Sequence, residues 1–389
     1  MRNFQYGTPT RLIFGKNAIE NLPEVLRSLG KKVLLVYGGG SIKKIGLYQK
    51  VMELLKDFQV TELSGVQPNP KYESVLAGVK ICKEQSIDVV LAVGGGSVID
   101  CSKAVAAGAK YDGDVWDFLA HKAQCKAALP IVDVLTLAAT GSEFDAACVI
   151  SKTETNEKTG FFSKSIFPKV SILDPEYTFS VSPLQTAAGA ADGMSHVMEQ
   201  YFTEESSLLT DGLCEATIRA LMANAKVAVK EPENYEARAE LMLACSFGCN
   251  GILSLGNSRS GWPCHALEHA LSAYYDIAHG VGLAIVTPHW MQLVLKKHPE
   301  KAMPLFAKYG VNVFGLDSAM DKKQLAEKAI EATAAFYKEI GLPCTLKEAG
   351  IDNSRIDEMA RHIADNEGLD KAYMALDLAD IKEILTASL

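Results

Sequence analysis

Paired cysteines, a basic surplus and long apolar runs are all missing from this 389-residue chain. The nine cysteines include no CxxC spacing, which excludes a zinc ribbon and argues against a disulfide framework. Reduced thiols in a cytoplasm fit that pattern, and Cys245 and Cys249 read as small buried apolar side chains. Lysine and arginine number 39 against 47 acidic residues, a formal net charge of −8, so neither nucleic acid nor an anionic membrane is the expected partner. The opening stretch "MRNFQYGTPTRLIFG" lacks the apolar segment of a signal peptide. The longest uncharged run, residues 241–258, is interrupted by Ser246, Asn250, Ser254 and Asn257 and reads as a buried core helix, not a membrane span. Neither an internal repeat nor a low-complexity tract is present. What is there, 48% hydrophobic and 22% charged residues, suits a globular chain too long for one core, so two domains are expected.

The first half alternates strand and helix. "KKVLLVY" (residues 31–37) is a short β-branched apolar run ending in glycines, and an amphipathic stretch over 46–55 follows. "QVTELS" reads as a second strand, residues 75–83 as a helix and "DVVLAVGGGS" (88–97) as a third strand. "PIVDVLTLAATGSE" and "KVSILDP" supply two more. Apolar strands spaced by helices imply βαβ units and a parallel sheet buried on both faces. After Pro183 the strand signals fade and helical periodicity runs to the end. Turn formers from Asp174-Pro175 to Ser182-Pro183 mark the boundary. The expected architecture is an α/β domain over residues 1–180 and an all-helical domain over 181–389.

Two strands end in the same tetrapeptide, Gly38-Gly39-Gly40-Ser41 and Gly94-Gly95-Gly96-Ser97. Bare glycines let backbone amides approach a ligand, and a helix opening behind them makes an anion site suited to a pyrophosphate. Ser97 and Asp100 have the spacing of a capping box for that second helix. Neither turn is the GxGxxG of a Rossmann dinucleotide site, so the nucleotide binds in another geometry. Ser41, Lys43 and Lys44 follow the first turn and no carboxylate lies within it, which favours the 2′-phosphate of NADP(H).

The second half holds a histidine cluster. Asp192 and His196 are four apart and share one helix face, as do His265 and His269. His279 stands fourteen residues beyond His265. On one continuous helix the two would be ~21 Å apart, too far for a single ion. His279 joins only if the chain turns near residues 273–276, for which Gly280 and Gly282 give the means. Spacing therefore leaves His265/His269 and His265/His279 both open. Several imidazoles with one carboxylate and no thiolate suit Fe²⁺ or Zn²⁺ with an open position, a Lewis acid.

At these motifs the chain resembles the iron-dependent (group III) alcohol dehydrogenases, in particular the branch of NADPH-dependent butanol dehydrogenases and aldehyde reductases. The resemblance is carried by "GVQPNP" (65–70), "GGGSVIDCSKA" (94–104), "TLAATGSE" (136–143), "ILDP" (172–175), "DGMSHVMEQY" (192–201) and "HALEHALSAYYDIAHG" (265–280). It implies a dehydroquinate synthase-like architecture, with a Rossmann-like nucleotide domain, an all-α metal-binding domain and a divalent metal in the cleft. It implies Asp192, His196, His265 and His279 as metal ligands, iron ahead of zinc, and His269 beside nicotinamide and substrate. It further implies that Asn69, Gly94–Ser97, Asp100, Thr136, Thr140 and Ser142 line the cofactor, with Lys158 on its phosphate or ribose side and Gly38, Gly39, Gly40 and Ser41 on the 2′-phosphate. A homodimer acting on a small alcohol or aldehyde completes the expectation. Two departures stand out. "LTLAATGSE" replaces the "PTTAGTGSE" of many relatives, and Trp262 and Cys264 adjoin the first histidine ligand, Trp262 as pocket wall and Cys264 as packing.

Three other readings share these features. A zinc- and NAD-dependent polyol dehydrogenase has the same architecture. A dehydroquinate synthase-like lyase needs basic groups around the metal, where only Arg259 lies near the histidines. A non-catalytic metal- or nucleotide-responsive protein has no use for an open-sided metal beside a redox-cofactor turn.

Overall fold

A computed structural model describes residues Met1–Leu389, which divide into two compact units. One comprises residues 7–181 and 232–250, the other residues 1–6, 182–231 and 251–389.

The first unit is built on six parallel strands: β1 (Arg11–Phe14), β2 (Lys32–Tyr37), β3 (Gln59–Leu63), β4 (Val89–Gly94), β5 (Ile131–Leu135) and β8 (Val170–Leu173), in spatial order β1-β8-β5-β4-β2-β3. Both faces of the sheet are covered. Val33 and Leu35 of β2 pack into one core with Leu22, Leu26 and Val51, whereas Leu34 and Val36 pack into the other with Val75, Ile99 and Val105. That two-sided burial explains why the central strands read as continuous apolar runs. Helices α1 (Leu22–Arg27), α2 (Ser41–Lys44), α3 (Leu47–Leu54), α4 (Tyr72–Gln85), α5 (Gly96–Gly108) and α6 (Trp116–Leu119) lie in the connections. An antiparallel hairpin, β6 (Ala147–Lys152) with β7 (Glu157–Phe162), stands apart from the main sheet.

The strand order positions the glycine turns. After β2 the chain crosses outward to β3, and after β4 it crosses the opposite way to β5, so neighbouring strands β2 and β4 flank the point where the winding reverses. Open α/β sheets bind ligands at the carboxyl ends of strands at such a point. Both Gly-Gly-Gly runs sit there.

The second unit is helical: α7 (Pro183–Tyr201), α8 (Leu208–Lys230), α10 (Pro263–Tyr275), α11 (His279–Lys297), α12 (Pro299–Phe314), α13 (Lys322–Glu339), α14 (Ile356–Asn366) and α15 (Leu378–Ala387). The intervening α9 (Tyr235–Gly248) belongs to the first unit, where its Ser246 hydroxyl donates to Glu143. Helical periodicity alone assigns α9 to the second half, because the pattern records which face is buried and not which neighbour covers it. The uncharged run 241–258 is not one helix. It ends at Gly248, and left-handed Gly251 and Gly256 turn the chain beyond it.

Helix α7 is buried from Thr186 to Tyr201, and its Ala- and Gly-rich surface lets α11 come unusually near. A Cβ placed on Gly280 would run into the Ala188 carbonyl oxygen, and one on Gly282 would stand 2.7 Å from Glu268 Cγ. These two glycines bring the start of α11 against α7 and α10. We expect Gly280→Ala to destabilise the protein by about 1–3 kcal/mol through overpacking. It should also weaken metal binding, because residue 279 is displaced with it. Denaturant melts and metal titration of the same sample check both effects.

Candidate functional site

In the α/β unit the second glycine turn receives the loop that follows β5. Thr136 donates its amide to Gly94 O at 3.0 Å, Leu137 Cβ would stand 3.1 Å from a Cβ on Gly95, and Thr140 leaves no space for one on Gly96. Glycine is thus required here by close approach. Helix α5 begins at Gly96, with Gly95 extended and no side chain capping it. The capping box expected of Ser97 and Asp100 does not form, because the helix starts ahead of Ser97 and Asp100 turns inward. Its carboxylate accepts from Ser142 Oγ at 2.5 Å and from the Val149 amide at 2.9 Å. Burial pushes Asp100 up to about 6. The α5 N-terminus therefore keeps its dipole and amides for an anion.

Below the turn lies Lys103, fully buried, with its ammonium 2.6 Å from Asp145 Oδ1 and 2.8 Å from Ala147 O. It lies inside the 94–104 motif with no role legible from sequence, although a lysine in a helix whose only other charged residue is Asp100 is the signal that could have found it. At the first turn Gly40 is left-handed (φ 112°) and Ser41 opens α2. Lys43 lies over the rings of Tyr37 and Tyr48, whose hydroxyls donate to Glu62 at 2.6 and 3.0 Å. Glu62 comes from β3, so a scan of the turn itself does not see it. Asn69, buried and left-handed (φ 48°), precedes Pro70, whose carbonyl accepts from Ser151. Ser151 faces the buried Lys158 across the hairpin, which brings Asn69 and Lys158 to one region of this unit.

In the helical unit α7 projects Asp192 and His196 from one face. Helix α10 ends at Tyr275 with Asp276 left-handed (φ 52°), and α11 starts at His279. The chain turns where the spacing required it. Asp192 Oδ1 lies 3.3 Å from His196 Nε2, 3.6 Å from His279 Nε2 and 3.8 Å from His265 Nε2. Donors around a tetrahedral ion with bonds of about 2.1 Å stand about 3.4 Å apart. Asp192, His265 and His279 offer atoms that all lie within 4.8 Å of one another, a group that could hold a metal, while His196 adjoins it through Asp192. Asp192 Oδ1 and His265 Nε2 are buried without a hydrogen-bond partner, a deficit that an ion removes. His269 is placed beside this set, with ring centroids 6.3 Å from His265 and 5.8 Å from His279. Its nitrogen falls with Glu268 and His279, not with Asp192.

Two carboxylates behind the rings went unread in the sequence. Glu199 Oε1 lies 2.6 Å from His265 Nδ1, and Glu268 bonds His279 Nδ1. Each fixes the tautomer that aims Nε2 inward. Their signal was local: Glu199 follows His196 by less than one helical turn, and Glu268 precedes His269. Glu199 also accepts from the amides of Cys264 and His265 at 3.0 and 3.2 Å, supplying the cap that α10 lacks from Trp262.

The charges follow from these contacts. Burial alone would raise the Asp192 carboxyl, but His196, His279 and His265 hold it well below the usual carboxylate range. Burial, only partly offset by Asp192, pushes His196 down to about 3, so it is neutral and ready to ligate. Burial opposes charge on His265 too, yet Glu199 and Asp192 lift it to about 9. A metal must therefore displace a proton from His265 at neutral pH. Affinity should fall as pH is lowered from 9, with about one proton released per ion near pH 7, read from the buffer dependence of the binding heat. Glu199→Gln should lower affinity ~10–100-fold and diminish that proton release.

Residues 9–175 match the family described as iron-containing alcohol dehydrogenase, and residues 186–389 match the C-terminal region of the Fe-containing alcohol dehydrogenase family. The chain is 47% identical over 371 residues to NADH-dependent butanol dehydrogenase A of Clostridium acetobutylicum, covering 95% of this chain and 94% of that protein. It is 38% identical to the NADPH-dependent aldehyde reductase YqhD of Escherichia coli, over 94% of each. The crystal structure of a butanol dehydrogenase A from Thermotoga maritima superposes with a TM-score of 0.95 at 40% identity, covering 100% of this chain and 99% of that one.

Proposed function

This chain belongs to the iron-containing alcohol dehydrogenase family, and from that premise we propose that it interconverts a short primary alcohol and its aldehyde using NADP(H). In the reducing direction, aldehyde, NADPH and a proton give alcohol and NADP⁺. The observation that carries this reading is the convergence of three imidazole Nε2 atoms on Asp192 Oδ1, in a chain whose other unit presents two glycine turns at a switch point.

When bound, the ion supplies a Lewis acid for the carbonyl oxygen and the nicotinamide supplies the hydride. Asp192, His196, His265 and His279 hold that ion, while Glu199 and Glu268 keep the rings of His265 and His279 in the ligating tautomer. We read the ion as iron because the family is described as iron-containing, with zinc a competitor for the same donors. Gly94–Ser97 and the bare start of α5 take the pyrophosphate, and Thr136, Thr140, Ser142 and Asn69 line the nucleotide. Asp100 acts one step back by holding Ser142 and β6. Lys158 serves the phosphate or ribose side. His269 stands outside the ligand set and next to it, the position for a group that delivers the proton to the product alkoxide.

The cofactor preference rests on Gly38–Ser41 and Lys43. Glu62, beside that turn, is occupied by two tyrosines. The butanol dehydrogenase, 47% identical, is named for NADH and the aldehyde reductase, 38% identical, for NADPH, so the names do not argue for this preference and the turn alone carries it. We therefore expect kcat/KM for NADPH to exceed that for NADH, and Lys43→Ala to lower the NADPH value selectively. Equal losses for both cofactors refute a 2′-phosphate role.

Metal analysis of freshly purified protein, followed by NADPH oxidation with butanal after each metal is restored, tests the reaction itself. Absence of turnover across a broad aldehyde panel overturns the reading. His269→Ala should keep its metal and lose turnover by ~10²–10⁴-fold. Loss of metal from that variant would instead place His269 among the ligands.

A further inference from the structure

Trp262 occupies a conformation that bulky side chains avoid. It stands immediately before α10 with φ 53° and ψ 51°, in the left-handed region where a non-glycine residue is strained. The surroundings enforce it. Gly261 is also left-handed (φ 96°), and a Cβ there would be 2.7 Å from Ala372 Cβ. Ser260 accepts the Tyr373 amide through its carbonyl and the Trp262 amide through its hydroxyl, both at 3.3 Å. Glu199 clamps the next two amides of α10. Had residue 262 taken the extended backbone usual at a helix start, its side chain would leave in another direction.

As built, the indole sits edge-on to two metal-ligand rings, 5.1 Å from the His265 centroid and 6.0 Å from that of His196. Yet Trp262 stays 37% exposed. A strained backbone is thus spent on presenting an accessible apolar surface beside the ligand set.

We propose that Trp262 is the specificity-determining wall of this site, the surface on which the hydrocarbon chain of the aldehyde or alcohol packs while its oxygen is directed toward the ligand set. This rests on the reading of the site given above. The chemistry favours unbranched aliphatic substrates of a few carbons, because a flat aromatic face rewards each methylene laid along it.

Burying one methylene is worth roughly a four-fold change in binding. For metal-loaded wild-type protein, kcat/KM should climb by about that factor per carbon from ethanal to butanal. In Trp262→Ala the slope should flatten, with metal content unchanged. Trp262→Phe, which keeps a smaller ring, should fall between and guards against a misfolded alanine variant. Calorimetric binding of ethanol and butan-1-ol without cofactor gives a second readout. Their dissociation constants should differ ~16-fold in wild type and by less than about three-fold in Trp262→Ala. Parallel slopes in wild type and variants overturn the proposal, as does a uniform loss of activity with loss of metal, the signature of a ligand shield. A wild-type protein active on no aldehyde removes the functional reading and this proposal together, whereas parallel slopes remove only the role of Trp262.

Discussion

One buried carboxylate carries much of the site. Glu199 meets the His265 ring and the amides of Cys264 and His265, so a single side chain orients that ring and caps the helix that bears it. Those amides would otherwise be unsatisfied inside the protein, and their dipole would favour an anion at that point in any case. Helix capping and ring orientation are thus coupled, and α10 cannot start elsewhere without misdirecting His265. Glu268 repeats the device from within α10 by holding His279 at the start of α11. The two pairs convert helix ends, the least fixed parts of helices, into fixed points.

The α/β unit solves a different problem with the same means. The loop from Thr136 to Asp145 has to be held against bare glycines without a regular ladder. A fully buried ammonium does this, with Lys103 bound to Asp145 and the Ala147 carbonyl and with Asp100 engaging Ser142 and Val149. Burying one cation among several carboxylates is costly unless each is bonded. Burial pushes Glu143 up to about 7, and its partner is the Ser246 hydroxyl from α9. A helix late in sequence is thereby tied to the loop that follows β5 in its own unit.

Much of this was legible in the sequence. β2 and β4 were visible because two-sided burial forces apolar runs, and the switch point because both runs end in glycines. Asp192 and His196 were visible because they are one helical turn apart. What escaped was set by contacts distant in sequence. β1 is a four-residue edge strand, and the hairpin turns through left-handed Asn156 without a strong turn dipeptide. The Ser97–Asp100 spacing mimicked a cap because the same residue types serve inward hydrogen bonds. Spacing could not bring His279 near Asp192, since that placement depends on the left-handed turn at Asp276, a residue type that tolerates it without announcing it. Glu62 reaches the first turn from a neighbouring strand.

Helices α7, α10 and α11 each contribute donors to one point, where Asp192 of α7 lies 3.8 Å from His265 of α10 and 3.6 Å from His279 of α11. An ion seated there is a cross-link as much as a reagent. Taking such an ion away would remove one tie between three helices that the Glu199–His265 and Glu268–His279 bonds also hold, so its binding would add to the stability of the fold by mass action.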